Sequence, residues 1–165
     1  MDNDQVEIGI RQQIRVVQII AIALMMGVLT FGAIAFQIGN GKQPPETPMM
    51  SYIAMGLGLQ MLIVHFIIPS FILKNSLKAI ANQTGNVREA LVATHRGKTI
   101  LGLAILEGAA FLALVSYLIE GHDYALGTAL VMLFMMTVQF PGTNRVLNWI
   151  GTNAELIEQQ RNTSS

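Results

Sequence analysis

The sequence contains no cysteine, and only 12% of its 165 residues are charged. Without cysteine the chain has no disulfide, no thiolate nucleophile and no cysteine-based zinc or iron–sulfur site. An ordinary soluble domain has about a quarter of its residues charged, about twice the fraction found here. The net charge is zero, and no basic cluster with interleaved aromatic residues indicates a nucleic-acid partner. These absences argue against a soluble domain and against nucleic-acid binding.

Hydrophobic residues make up 52% of the chain, and the mean hydropathy is +0.51. They form long blocks, and about 20 apolar residues in a row are enough to cross a hydrocarbon core of about 30 Å. The sequence predicts four spans, at about 14–38, 50–73, 98–119 and 124–140, within a single membrane domain over 1–165. We expect helices, because the segments are apolar on all sides and lack the alternation of barrel strands. The predicted fold is therefore all-α, an integral membrane four-helix bundle.

Basic residues lie almost entirely on one side of the predicted spans. Nine of the ten Lys and Arg precede span one, join spans two and three, or follow span four, and the exception is Lys42. The positive-inside rule then places both termini, the loop 74–97 and the tail 141–165 in the cytoplasm. We expect the chain to lie in a bacterial cytoplasmic membrane, the inner membrane, with the lipid bilayer as its first partner.

The cytoplasmic segments are predicted to contain short amphipathic helices. "VREALVATHRG" is predicted to form one of them, after a break within "NQTGN". Val87, Leu91 and Thr94 lie on one face at helical spacing, and this face lies either on the membrane or on the bundle. In the tail, "TNRVLNWIG" places Trp149 beside Arg145, a pair typical of an interfacial anchor.

A carboxylate, Glu107, lies near the middle of the third span, "LGLAILEGAAFLALVSYLIEG". A charged group at this depth costs about 3 kcal/mol on insertion scales, and even a protonated carboxyl needs hydrogen-bond partners. Small residues let another helix approach closely, so we expect Glu107 to face protein and not lipid. The small residues predicted to lie at helix-packing positions are Gly102, Ala104, Gly108, Gly56 and Gly58.

His65, on span two, is the predicted partner of Glu107. The two residues lie eight and nine positions from the inner ends of their spans, which puts both about 12–14 Å above the same membrane boundary. A Glu–His pair at this depth either fixes helix register or belongs to a proton or ion pathway. Ten methionines indicate flexible packing and not a copper site, so no metal and no cofactor are predicted.

Span three resembles the carboxylate-bearing helix of rotary-ATPase c-ring proteolipids. The resemblance covers about 20 residues and rests on a lone acidic residue, Glu107, followed by "GAAFLALVSYLIEG"; "MGLGL" (55–59) is similar to the glycine-rich partner helix of that family. It implies that Glu107 occupies an ion-carrying position. The whole chain resembles small four-helix bacterial membrane proteins, with "EG" at the end of span three and "FP" after span four, and this second resemblance implies no activity.

Motifs of known enzyme classes are absent from the sequence. There are no paired carboxylates at mid-depth, no H-E-x-x-H, no G-x-S-x-G and no phosphate loop. We therefore predict a non-catalytic protein, an accessory or interaction subunit packed around Glu107, either as a homo-oligomer or within a membrane complex. The alternative is a proton- or cation-handling, proteolipid-like protein that uses Glu107 with His65.

Overall fold

The computed structural model describes residues 3–81 and 86–164, and within this part of the chain it is all-helical, with five helices and no strand. The all-α prediction is confirmed. The predicted break within "NQTGN" falls largely on 82–85, outside the described residues. The five helices are α1 (Asn3–Gly39), α2 (Met49–Ala81), α3 (Val87–Glu120), α4 (Asp123–Val138) and α5 (Thr143–Ser164).

Among the described residues, three helical segments are long and apolar enough to cross a membrane, which is consistent with an integral membrane protein. They are Ile8–Gly39, Met49–Ile80 and Val87–Glu120, and a fourth span arises only if α4 and α5 count together as one. Taken alone, the 16 residues of α4 extend about 24 Å, less than the hydrocarbon core. α4 ends at Val138 and not at 140, because Pro141 disfavours helical geometry in the residue before it.

The short helix predicted over "VREALVATHRG" is not a separate element, and this part of the prediction is wrong. The segment forms the beginning of α3, which continues through Gly97 without a break. A glycine inside a helix costs about 1 kcal/mol relative to alanine. Burial of Val87, Leu91 and Val92 in a core with residues distant in sequence offsets that cost, at about 1.5–3 kcal/mol for each large aliphatic side chain.

The helices pack as two compact units, each with its own apolar core. The terminal unit contains the described parts of 1–20, 68–101 and 141–165, and the span unit contains 21–67 and 102–140. The interpretation of 1–165 as a single domain stays a prediction.

The core of the terminal unit is built from branched aliphatic side chains. On α5 the buried residues recur at intervals of three or four, so one face of this helix is inside. The apolar face of "VREALVATHRG", which was predicted to lie either on the membrane or on the bundle, therefore packs on protein. The buried residues are Ile10, Ile14, Ile80, Val87, Leu91, Val92, Val146, Ile150, Ala154 and Ile157.

The core of the span unit is rich in alanine. Small side chains let helix backbones approach closely, which in lipid replaces the hydrophobic driving force that water supplies elsewhere. Phe31 and Phe111 fill the space between α1 and α3, with ring centroids 5.4 Å apart. The buried residues are Ala21, Val28, Ala35, Ala54, Leu103, Leu106, Ala109, Ala110, Ala113, Leu114, Tyr117, Ala125, Ala129, Met132 and Met136.

Gly58 lies at a close contact between α2 and α4. A Cβ at this position would lie 2.7 Å from Cγ2 of Thr128 and 3.3 Å from Cε of Met132. Thr128 cannot rotate away freely, because its hydroxyl donates a hydrogen bond to the carbonyl oxygen of Tyr124 at 2.9 Å. Gly56, on the same helix, is exposed, and a Cβ there would meet nothing within 4 Å.

We predict that Gly58→Ala destabilises the protein by about 1–3 kcal/mol, because the added methyl group forces α2 and α4 apart. Gly56→Ala is the matched control and should be neutral or stabilising by up to about 1 kcal/mol, since alanine favours the helix. Unfolding in mixed micelles, followed by far-ultraviolet circular dichroism, measures both. Equal stability of the two variants would contradict the assigned contact.

Candidate functional site

His65 is a buried side chain of the span unit that can both donate and accept hydrogen bonds. Its Nδ1 lies 2.9 Å from the carbonyl oxygen of Gly102, which can only accept, so Nδ1 carries a proton and donates. The absence of a side chain at Gly102 permits this contact, because a Cβ there would lie 3.0 Å from Cε1 of His65. The hydrogen bond joins the middle of α2 to α3.

The other ring nitrogen of His65 is also occupied. A neutral imidazole that donates from Nδ1 accepts at Nε2, and the side-chain amide nitrogen of Gln139 donates to it. Gln139 is the residue that ends α4, with non-helical backbone angles of −91° and 5°. His65 therefore connects α2, α3 and the end of α4 in one hydrogen-bonded cluster, the histidine cluster (His65, Gly102 and Gln139).

Glu107 lies on a different side of α3. Its Oε1 is 3.7 Å from the position that a Cβ on Gly27 would occupy, so the carboxyl group lies against α1 where that helix has no side chain. The residue is half-buried, and within the part of the chain that the structure describes it makes no hydrogen bond and no ion pair.

The structure does not bring the predicted pair together. His65 faces Gly102, which is five residues before Glu107 on α3, and five residues at 3.6 per turn correspond to a rotation of about 140°. Gly102 and Glu107 thus lie on different faces of α3, and Gly102 is also about 7.5 Å from Glu107 along the helix axis, so the predicted match in depth is not observed. Ion or proton binding by Glu107 and His65 stays a prediction.

The five predicted packing positions divide into two groups. Gly58 and Gly102 are buried and lie at close contacts between helices. Gly56, Ala104 and Gly108 are exposed, and a Cβ at either of these glycines would meet nothing within 4 Å. The second group is therefore available to another molecule.

Trp149 is half-buried in the terminal unit and packs on its apolar core. Its ring centroid lies 5.1 Å from that of His95, whereas Arg145 is exposed. The role of Trp149 and Arg145 as an interfacial anchor stays a prediction.

A polar clamp that the sequence analysis missed joins the end of α3 to the beginning of α2. The Glu120 carboxylate accepts hydrogen bonds from the backbone N–H groups of Met50 and Ser51, both at 2.8 Å, and from the Ser51 hydroxyl at 2.7 Å. Lys42 donates from Nζ to the carbonyl oxygen of Leu118 at 2.6 Å. Each charge thus stabilises the helix end of opposite polarity. The sequence does contain an indication of this clamp, because Pro48, which precedes α2, has no side chain that can cap the helix.

Groups of three or more His, Asp or Glu that could hold a metal ion are absent from the described residues. Comparisons with protein-family models, curated proteins and solved structures find no match. The functional argument therefore depends on the geometry of Glu107, the exposed face beside it and the histidine cluster.

We predict that Gln139→Leu destabilises the protein by about 1–3 kcal/mol, because it leaves Nε2 of buried His65 without a donor. His65→Phe combined with Gln139→Leu should recover most of this loss, since both polar partners are then replaced by apolar groups. Gln60→Leu, at an exposed glutamine of α2, is the control and should show no such coupling. A double-mutant cycle on the free energy of unfolding checks this, and a coupling near zero would refute the assigned hydrogen bond.

Proposed function

We propose that this chain is a small non-catalytic integral membrane protein with four spans and both termini in the cytoplasm of a bacterium, acting as an interaction subunit. The three long apolar helices and the one-sided distribution of Lys and Arg support this placement. For the span count, α4 and α5 are taken together as the fourth crossing.

An exposed stripe on α3 supports association with another membrane helix. Its small residues, Ala104 and Gly108, lie next to Glu107 and leave a shallow surface on which a second helix can approach closely. The stripe continues along the helix at intervals of three or four residues through Ala104, Gly108, Leu112 and Val115, all of them exposed.

Glu107 is the observation that carries the proposal. A carboxyl group that lies half-exposed in an apolar span, with no hydrogen-bond partner among the described residues, is expensive unless another molecule supplies one. A second copy that packs on the stripe brings its own Glu107 to the edge of the contact, and two protonated carboxyls can hydrogen-bond to each other. We therefore propose a homo-oligomer that associates through α3.

We predict that Gly108→Leu weakens self-association at least tenfold in mild detergent, because a bulky side chain then covers the stripe. The variant should still fold, since a Cβ at Gly108 meets nothing within 4 Å. Gly56→Leu adds the same side chain to α2, with equally open space, and should leave the oligomer unchanged. Sedimentation equilibrium measures the association constant.

A cysteine-free chain permits an independent check by disulfide cross-linking in membranes. Gly108→Cys should cross-link between copies under mild oxidation, whereas Leu130→Cys, at an exposed position of α4, should not. A monomeric wild-type protein, or equal cross-linking of the two variants, would overturn the proposal.

A proton- or cation-handling role is the second proposal, and the partial exposure of Glu107 favours it, because the carboxyl group is open to reagents and ions. Both nitrogens of His65 are engaged in the histidine cluster, so this role would depend on Glu107 without His65.

If Glu107 handles ions, we predict rapid modification by a hydrophobic carbodiimide, suppressed by one cation or at high pH, since the reagent attacks a protonated carboxyl. Glu107→Gln should then abolish proton flux in reconstituted vesicles, with His65→Gln as the comparison variant. Proton flux that is the same for Glu107→Gln and wild type would exclude ion handling and leave the packing role.

A further inference from the structure

An open apolar groove runs between α2 and α4 on the outer surface of the span unit. It has a volume of about 360 Å³, within the range of small-molecule sites. Its wall on α2 consists of Met55, Leu59 and Leu62, and its floor on α4 contains Gly127, where a Cβ would meet nothing within 4 Å.

One end of the groove is polar and acidic. Asp123 and Tyr124 line it there, at the first turn of α4. The connections beside this end, 39–48 and 120–123, carry three carboxylates, Glu46, Glu120 and Asp123, against one ammonium group, that of Lys42. Because the polar clamp occupies Glu120 and Lys42, Asp123 is left as a carboxylate with no ion pair among the described residues.

The aromatic side chains at the same end suit a membrane interface. The ring of Tyr124 lies 6.1 Å from that of Tyr52 and 4.5 Å from that of His122. Tyrosines of this kind concentrate where the hydrocarbon meets the headgroups, and their ring faces attract cations. The groove thus passes from a cation-attracting interface into an apolar channel.

The size of the groove suits a lipid chain better than a protein helix. From Asp123 to Met132 it extends about 13 Å along α4. A helix of that length and about 10 Å in diameter occupies about 1,000 Å³, so most of a helix seated on this open groove would lie outside it. A flexible hydrocarbon chain needs no such width and leaves no unsatisfied polar group in the groove.

We propose that this groove binds one acyl chain of a phospholipid whose headgroup carries a primary ammonium, and that Asp123 receives the ammonium group. The acidic surroundings select against anionic headgroups, because like charges would then meet at the interface. The inference depends on the proposed membrane location, but not on association through α3.

The test uses the full chain in mild detergent with phosphatidylethanolamine, phosphatidylcholine or phosphatidylglycerol of identical acyl chains, and native mass spectrometry counts the lipids retained. The wild type should retain one phosphatidylethanolamine at least tenfold more tightly than phosphatidylglycerol. Gly127→Leu and Val131→Phe, which fill the groove from two positions, should each weaken the binding of all three lipids at least tenfold. Asp123→Asn should remove the preference for the amine headgroup, and Gly56→Leu, outside the lining, should change nothing.

Wild-type retention in either groove-filling variant, with helical content preserved, would overturn the inference. So would tighter binding of phosphatidylglycerol, or a dimer that only the groove-filling variants dissociate, because the groove would then hold a second copy. Retention of none of the three lipids by the wild type would also overturn the inference and would leave the membrane location unaffected, because a membrane-spanning chain need not keep a lipid in detergent. The association proposal is tested separately, because Gly108 is not part of the groove lining.

Discussion

Polar groups inside an apolar span have no water to bind, and this constraint determines how the helices of the span unit are rotated. His65 satisfies it with the Gly102 carbonyl and the Gln139 amide, on two other segments of the chain. The hydroxyl of Ser116 satisfies it with the carbonyl oxygen of Met50 at 3.0 Å. Since each of these bonds has one geometry, a rotation of α2 or α3 would leave a buried group unpaired, at a cost of about 1–3 kcal/mol. Apolar packing alone, with many similar alanines, would distinguish such rotations less sharply.

Glycine makes these polar contacts possible by removing the side chain at the point of approach. Gly102 admits the His65 ring, and Gly58 admits the methyl groups of Thr128 and Met132. At the other end of the span unit, the polar clamp matches the charges of Glu120 and Lys42 to helix ends that no local side chain caps. The helices are thus connected by hydrogen bonds at two levels, and the contact at Gly58 lies between them. The order of these features along α2, from Ser51 through Gly58 to His65, agrees with a helix that is fixed from its first turn to its middle.

The apolar parts of the helices could be predicted from the sequence, because apolar blocks and the pair Pro141-Gly142 are local signals, whereas the beginning of α1 at Asn3 lies eleven residues before the predicted start of its span. The relative level of two residues could not be predicted by counting from the ends of their spans, because His65 lies against Gly102, about 7.5 Å along α3 from Glu107. The rotation of α3 about its axis could not be predicted either, because alanines and leucines lie on all sides of this helix. Hydropathy therefore does not show that Gly102 and Glu107 lie on faces about 140° apart. The continuity of α3 through Gly97 was missed for a similar reason. It depends on Leu91 and Val92 packing with residues of α1 and α5 that are far away in the sequence.

Glu107 and His65 differ in a way that separates a structural role from a functional one. His65 has two partners and is buried, so the folded chain already uses all of its hydrogen-bonding capacity. Glu107 has no hydrogen-bond partner among the described residues, and it lies half-exposed beside Gly27, where α1 has no side chain. A leucine at position 107 would avoid about 3 kcal/mol of insertion cost, so folding alone does not explain a carboxyl group there. A carboxyl group that destabilises the single chain can be offset by a partner that supplies a hydrogen bond, or it can serve in the transfer of a charge. Association and ion handling are therefore the functions that we propose for Glu107.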